Sequence, residues 1–179
     1  MGISNYNQVL DRDKKYVALE GITDKYYLSA FKQLLNIPEE YFFIPACGVD
    51  NIKPLISILI SWGCQFKAVF DDGQGKTVYN SIKKNLYKDD DELFLETIMK
   101  LDKFNGIEDL FDLSDFDKYV TEQDREDKIS NSEIAKQIGK KELLARLFSE
   151  KVTSEQIKKS DLKKNTLDNF NDVFSWLKK

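Results

Sequence analysis

The sequence predicts an α/β protein in which a parallel sheet is flanked by helices and followed by a C-terminal helical extension. Two observations carry that prediction. An apolar run of strand type followed by a helical pattern occurs three times before residue 87, and the connections between these units are short. Strands that all run the same way need a crossover, and the alternating pattern supplies a helix each time. With 179 residues, 41% of them hydrophobic, the chain can bury one core.

The first unit is the strand "KKYVALEG" (14–21) and the helix "TDKYYLSAFKQLLN", with Tyr27, Phe31, Leu34 and Leu35 on one face and Thr23 as the expected N-cap. The second is the strand "YFFIPACG" (41–48) and the helix "NIKPLISILISW", capped by Asp50. The third is the strand "FKAVF" (66–70) and a helix expected over 76–86. "LFLETIMKL" (93–101) reads as a fourth strand, and the acidic run 89–92 before it as a solvated loop. Residues 114–140 turn polar and read as an insertion, mobile or leading into a helix. "KKELLARLFSEKV" resumes helical spacing, and Leu167, Phe170, Val173, Phe174 and Leu177 form the stripe of a last helix expected to pack on the chain's own sheet. These boundaries divide the chain into residues 1–150, carrying the sheet, and 151–179, the extension.

Composition narrows the chemistry. The chain has no histidine, and Cys47 and Cys64 are too far apart for a CxxC pair, so zinc sites and Ser-His or Cys-His nucleophiles are set aside. Catalysis would fall to carboxylates, lysines or hydroxyls with a hard cation such as Mg²⁺. The net charge of −4 argues against a strongly basic nucleic-acid trap, yet leaves room for an acidic site neutralised by metal ions. No run of about eighteen apolar residues and no signal-peptide pattern is visible, so the expected location is cytoplasmic, without membrane contact.

"FDDGQGKT" (70–77) poses a choice between phosphate loop and metal site. In GxxxxGK[ST] the first glycine opens the loop around the phosphates, but that position here is Phe70, and Asp71 and Asp72 would place negative charge beside them. The carboxylate reading is stronger. Glu20 and Asp24 flank the first strand-helix turn, Asp71 and Asp72 end the third strand, and Glu108 follows the fourth, so a parallel sheet would bring them to one edge. Carboxylates crowded in this way repel one another unless a cation joins them. Lys76 and Thr77 begin a helix whose N-terminus could face a phosphate.

"VALEGITDKYYLSAF" resembles the first motif of the TOPRIM (topoisomerase-primase) domain, "AVFDDGQGK" its second, and "NGIEDLF" and "GKKELLARLF" later motifs of the OLD (overcoming lysogenization defect) nucleases, over roughly residues 14–150. The resemblance implies a TOPRIM-like, Rossmann-like fold and a metal-dependent DNA endonuclease. It implies two Mg²⁺ or Mn²⁺ ions, one activating water for in-line attack and one stabilising the leaving 3′ oxygen. By position, Glu20, Asp24 and Asp71 would hold or orient one ion, and Asp72 with Glu108 the other. Glu20, Asp71 and Lys141, or else Lys140, would be the catalytic residues, the lysine neutralising the pentavalent phosphate.

Two positions depart from the family pattern. The second acid of Asp-x-Asp is Gly73, with Asp72 one residue early, and the hydroxyl residue two before the last acid is Gly106. OLD proteins also carry an ABC-type ATPase, for which no Walker motif is present, so the implied partners are DNA and such an ATPase, in the same longer chain or separate. Homo-oligomerisation and a role in phage defence belong to the same expectation. The alternative reading is a catalytically weakened TOPRIM-like module that binds nucleic acid or a partner ATPase, and a third is a different TOPRIM chemistry, such as primase or RNA-maturation cleavage.

Overall fold

The computed structural model describes residues 11, 13–72, 76–88, 90–125 and 129–179. Its centre is a four-stranded, all-parallel sheet of β1 (Lys15–Leu19), β2 (Tyr41–Pro45), β3 (Gln65–Asp71) and β4 (Ile98–Leu101), in the order β2-β1-β3-β4. Leu19 pairs with Pro45 on one side and Val69 on the other, and Asp71 pairs with Leu101, so the strand ends line up along one edge. From β1 the chain crosses to β2 on one side, and from β2 it crosses back past β1 to β3 on the other. The gap beyond the ends of β1 and β3 is therefore the topological switch point, where open α/β sheets form their sites.

Alternation along the strands separates two apolar layers. Val17, Leu19 and Val69 face a core closed by α1 (Ile22–Leu34) and by the C-terminal half of the chain. Tyr16, Ala18, Ala68 and Phe70 face a second core closed by α2 (Val49–Ser61), α3 (Lys76–Leu86) and α4 (Asp91–Thr97). Helices on both faces confirm the expected class. Among the described residues no helix is long and apolar enough to cross a membrane.

Several local expectations change. The helix α1 is capped by Gly21 rather than Thr23, because the Gly21 N–H turns onto the Asp24 carboxylate at 2.8 Å and Thr23 lies inside the helix, buried. The helix α2 is capped by Gly48, whose φ of +133° suits glycine, and Asp50 sits in its first turn. The segment read as a single fourth strand splits, since Asp90 accepts the Leu93 N–H and starts α4, leaving only Ile98–Leu101 for the sheet. Asp91 and Glu92 of the acidic run thus occupy a helical first turn, a place their charge favours; Asp89 lies outside the described residues.

The polar stretch is also more ordered than its composition implies. It contains α5 (Leu113–Phe116), a π-helical turn over Asp117–Thr121 and α6 (Asn131–Ile138), and Ser130 and Glu133 close a capping box on α6. Arg125 is the clamp: it donates to Asp117, to the Ile129 carbonyl and, at 2.5 Å, to Asn131 Oδ1. The remaining helices are α7 (Lys141–Thr153) and α8 (Lys164–Lys178).

The C-terminal helix packs on the chain's own core, as expected. Phe170 stacks on Phe31 with ring centroids 3.5 Å apart, and Phe111 meets Tyr27, Phe31, Phe148 and Phe170 edge-on. Phe111 ends the short 3₁₀ segment Ile107–Leu110, so the aromatic cluster fixes the turn that carries Glu108. Phe111→Ala is expected to lower unfolding free energy by about 3–5 kcal/mol in urea denaturation, the usual cost of removing a buried aromatic ring.

Candidate active site

The carboxyl edge at the switch point gathers four acids and one lysine from four parts of the chain. Glu20 follows β1, and its Oε1 accepts the Asp71 backbone N–H at 3.0 Å across the β1–β3 gap. Asp24 lies in the first turn of α1, held by the Gly21 N–H. Asp71 is the last residue of β3. Glu108, on the 3₁₀ turn after β4, is 0% exposed, and Lys141, first residue of α7, places its Nζ 2.9 Å from Glu108 Oε1.

Gly106 explains how Glu108 fits. A Cβ at that position would stand 2.7 Å from Glu108 Oε2, 3.3 Å from the Ser132 Cβ and 3.7 Å from Asp71 Oδ2. The glycine lets the turn close until the two carboxylates face the same small space. Asn131 secures the turn from behind, donating to the Glu108 and Phe111 carbonyls at 2.9 Å each. Asp109 is not a site acid: it accepts from the Ser132 N–H and hydroxyl at 2.8 and 2.6 Å and ties the turn to α6.

The electrostatics follow from this crowding. Burial raises the Glu20 pKa against the pull of the Asp71 N–H and Lys141. Burial first, then Glu108 and Glu20, push Asp24 up to about 7 despite the Gly21 hydrogen bond. Asp71 rises to about 9, chiefly through burial, with Asp24, Glu20 and Glu108 adding repulsion. Burial pulls the Lys141 ammonium down, but Glu108, Asp24 and Asp71 outweigh it and hold it above the ordinary lysine value. Acids that raise one another in this way form an electrostatic unit, and such units concentrate at functional sites.

Asp72 is placed elsewhere. Its carboxylate bonds Lys100 Nζ at 2.7 Å, Lys100 also contacts Asp102 at 3.1 Å, and this pairing lowers the Asp72 pKa. The structure thus brings Glu20, Asp24, Asp71, Glu108 and Lys141 together and leaves Asp72 in a surface ion pair. Lys140 is the residue before α7, exposed, and does not share the Glu108 pair. Gly73 and Gly75 lie outside the described residues.

The donor set fits a hard divalent cation in kind: every ligand atom on offer is oxygen. It fits also in need. Both Glu108 carboxylate oxygens are buried without a hydrogen-bond partner among the described residues; Oε1 meets the Lys141 ammonium as an ion pair, and Oε2 is left in a position that native proteins rarely leave unfilled. Among the described residues no three Asp, Glu or Cys side chains are already closed into a metal-ligand cluster. Lys141 meets part of the charge, and Glu20 is turned onto the Asp71 N–H.

Sequence reasoning found the acids but not what holds them. Asn131 and the Asp109–Ser132 tie were missed, although the Ser130-x-x-Glu133 box that starts α6 is legible in the sequence. Comparison with protein-family models, curated proteins and solved structures finds no match.

The raised acids make stability depend on pH. A carboxyl whose folded pKa lies above its unfolded value binds more protons folded than unfolded, so its contribution is complete below about pH 4 and is lost as pH rises toward the folded value. For Asp24 and Asp71 that window runs from about 4 up to 7 and 9 respectively. Thermal melts in EDTA should show these groups lowering Tm between about pH 4 and 9, each contributing at most about 1.4 kcal/mol per pH unit, and Asp71→Asn should flatten the part above pH 7.

Proposed function

We propose that this chain is a metal-dependent phosphodiesterase acting on DNA, an endonuclease of the TOPRIM type found in OLD proteins. The observation that carries the reading is the buried, unpartnered Glu108 Oε2 facing Asp71 beside the Lys141 ammonium at the switch point of a parallel sheet. The motif resemblance of "VALEGITDKYYLSAF" supplies the substrate class.

A divalent cation held by Asp71 and Glu108, with Asp24 and Glu20 beside them, would supply Lewis-acid charge and a water made nucleophilic at neutral pH. Glu20 is the least enclosed of the four acids and lies where it can orient a water for in-line attack on a phosphodiester. Asp24 is locked by the Gly21 N–H, which holds the first turn of α1 against the site. Lys141 carries a positive charge on a helix anchored by its own Phe148 in the aromatic core, so the charge need not be reorganised as the phosphate gains negative charge. The products of such hydrolysis are a 5′ phosphate and a 3′ hydroxyl. An ABC-type ATPase, joined or separate, and a role against phage complete the proposal on the strength of the resemblance alone.

A second reading, a TOPRIM-like module that binds nucleic acid without cutting it, is favoured by the Asp72–Lys100 pair, which removes one expected ligand. One assay separates the two. Supercoiled plasmid should be converted to nicked or linear DNA with Mg²⁺ or Mn²⁺ and not with EDTA, and RNA should not be cut. Glu20→Ala should abolish cleavage, and Lys141→Met should slow it by about 10²-fold, as for loss of one electrostatic stabiliser. Cleavage that survives Glu20→Ala would refute the nuclease. A folded protein that retards DNA yet cuts under no metal would establish the binding module.

A further inference from the structure

Resting on the metal-site reading above, we infer that this centre takes one divalent cation rather than two, with the Lys141 ammonium standing where a second ion would be needed. Two-metal phosphodiesterases hold their ions about 3.5–4 Å apart, and each ion needs its own carboxylates besides a shared one. Asp72, the acid that the sequence offers for a second ion, is committed to Lys100 at 2.7 Å, and Lys100 is itself bound to Asp102 at 3.1 Å.

The other acid expected for that ion, Glu108, divides its two oxygens. Oε1 faces the Lys141 ammonium at 2.9 Å, a separation typical of a charge-assisted contact. Both oxygens are buried without a hydrogen-bond partner among the described residues, but only Oε1 meets the ammonium as an ion pair, and Oε2 is turned to the space shared with Asp71 Oδ2. One cation can use that atom. A second on the Oε1 side would be set against a fixed ammonium, whose repulsion at such distances is large in a partly dry site. A buried oxygen without a partner, a lysine already in place and a diverted aspartate together leave room for one ion.

Counting Mn²⁺ tests it directly, with no need for turnover. The intensity of free aqueous Mn²⁺ in electron paramagnetic resonance, followed as metal is added to the protein, gives the number bound and the affinity. One ion per chain is expected. Two ions per chain would overturn the inference while leaving the nuclease intact, and none up to millimolar Mn²⁺ would overturn both.

Variants assign the ligands. Glu108→Gln should weaken Mn²⁺ at least tenfold, whereas Asp72→Asn should leave count and affinity unchanged; a tenfold loss in Asp72→Asn would overturn the inference. Lys141→Met, which keeps the stem and removes the charge, should tighten Mn²⁺ about threefold or more or admit a second ion, because a like charge has gone. Unchanged binding in Lys141→Met would remove Lys141 from the role. Circular dichroism of each variant distinguishes lost ligands from lost fold, and Asp72→Asn, altering a surface pair, keeps the test open should Glu108→Gln fail to fold.

Discussion

A carboxylate with no exposure to water has to be compensated, and the Glu108–Lys141 pair is the constraint around which the carboxyl edge is built. Removing one partner of a buried pair typically costs about 3–5 kcal/mol, because the other charge is then stranded. The pair can form only if α7 begins beside the turn after β4. That placement is set by α7 packing on α1, where Phe148 meets Tyr27, Phe31 and Phe111. The turn itself is held by Asn131, and Asn131 by Arg125. An aromatic core and a chain of buried hydrogen bonds thus converge on one ion pair, and through it position one orphaned oxygen.

The same edge shows two ways of handling negative charge. Asp72 and Asp102 share the Lys100 ammonium at the β3–β4 end, with Lys76 adding attraction to Asp72, in an arrangement open to water. Glu20, Asp24, Asp71 and Glu108 share a single lysine, and burial leaves Asp24 and Asp71 far from the usual carboxylate range. Structural acids are satisfied locally, whereas this group holds a deficit of positive charge at the place where open parallel sheets bind ligands. Strand order creates that place: β1 and β3 are neighbours although β2 lies between them in sequence, so Glu20 and Asp71 meet.

Gly106 ties packing to chemistry. It occupies extended backbone that any residue adopts, so conformational freedom is not its reason. Its reason is space: a methyl group there would stand 2.7 Å from the carboxylate that the turn exists to present. The motif that the sequence resembles carries a hydroxyl residue at this position. Here Ser132, brought over by α6 and fixed by Asp109, lies against the same glycine from another part of the chain.

Much of this was legible in the sequence, because it depends on local pattern. The three strand-helix units, the parallel sheet and the inward stripe of α8 follow from hydrophobic period, as does the existence of the helix over 141–153, although Leu143 and Leu147 of its expected stripe are exposed and Ala145 and Val152 join Phe148 inside. Glu20, Asp24, Asp71 and Glu108 could be nominated because acids at strand ends of a parallel sheet must share an edge. Two kinds of feature could not be read. The split of 91–101 into helix and strand turned on a cap, since Asp90 captures the Leu93 N–H where apolar content alone suits a strand. The fate of each acid turned on distant partners: Lys100 reaches Asp72 from β4, Lys141 reaches Glu108 from α7, and Arg125 orders a segment whose polarity signals a loop. The sequence by itself determined which residues alternate and which carry charge. Only the tertiary structure decided which charges are quenched and which are left wanting, because that depends on distances between side chains far apart along the chain.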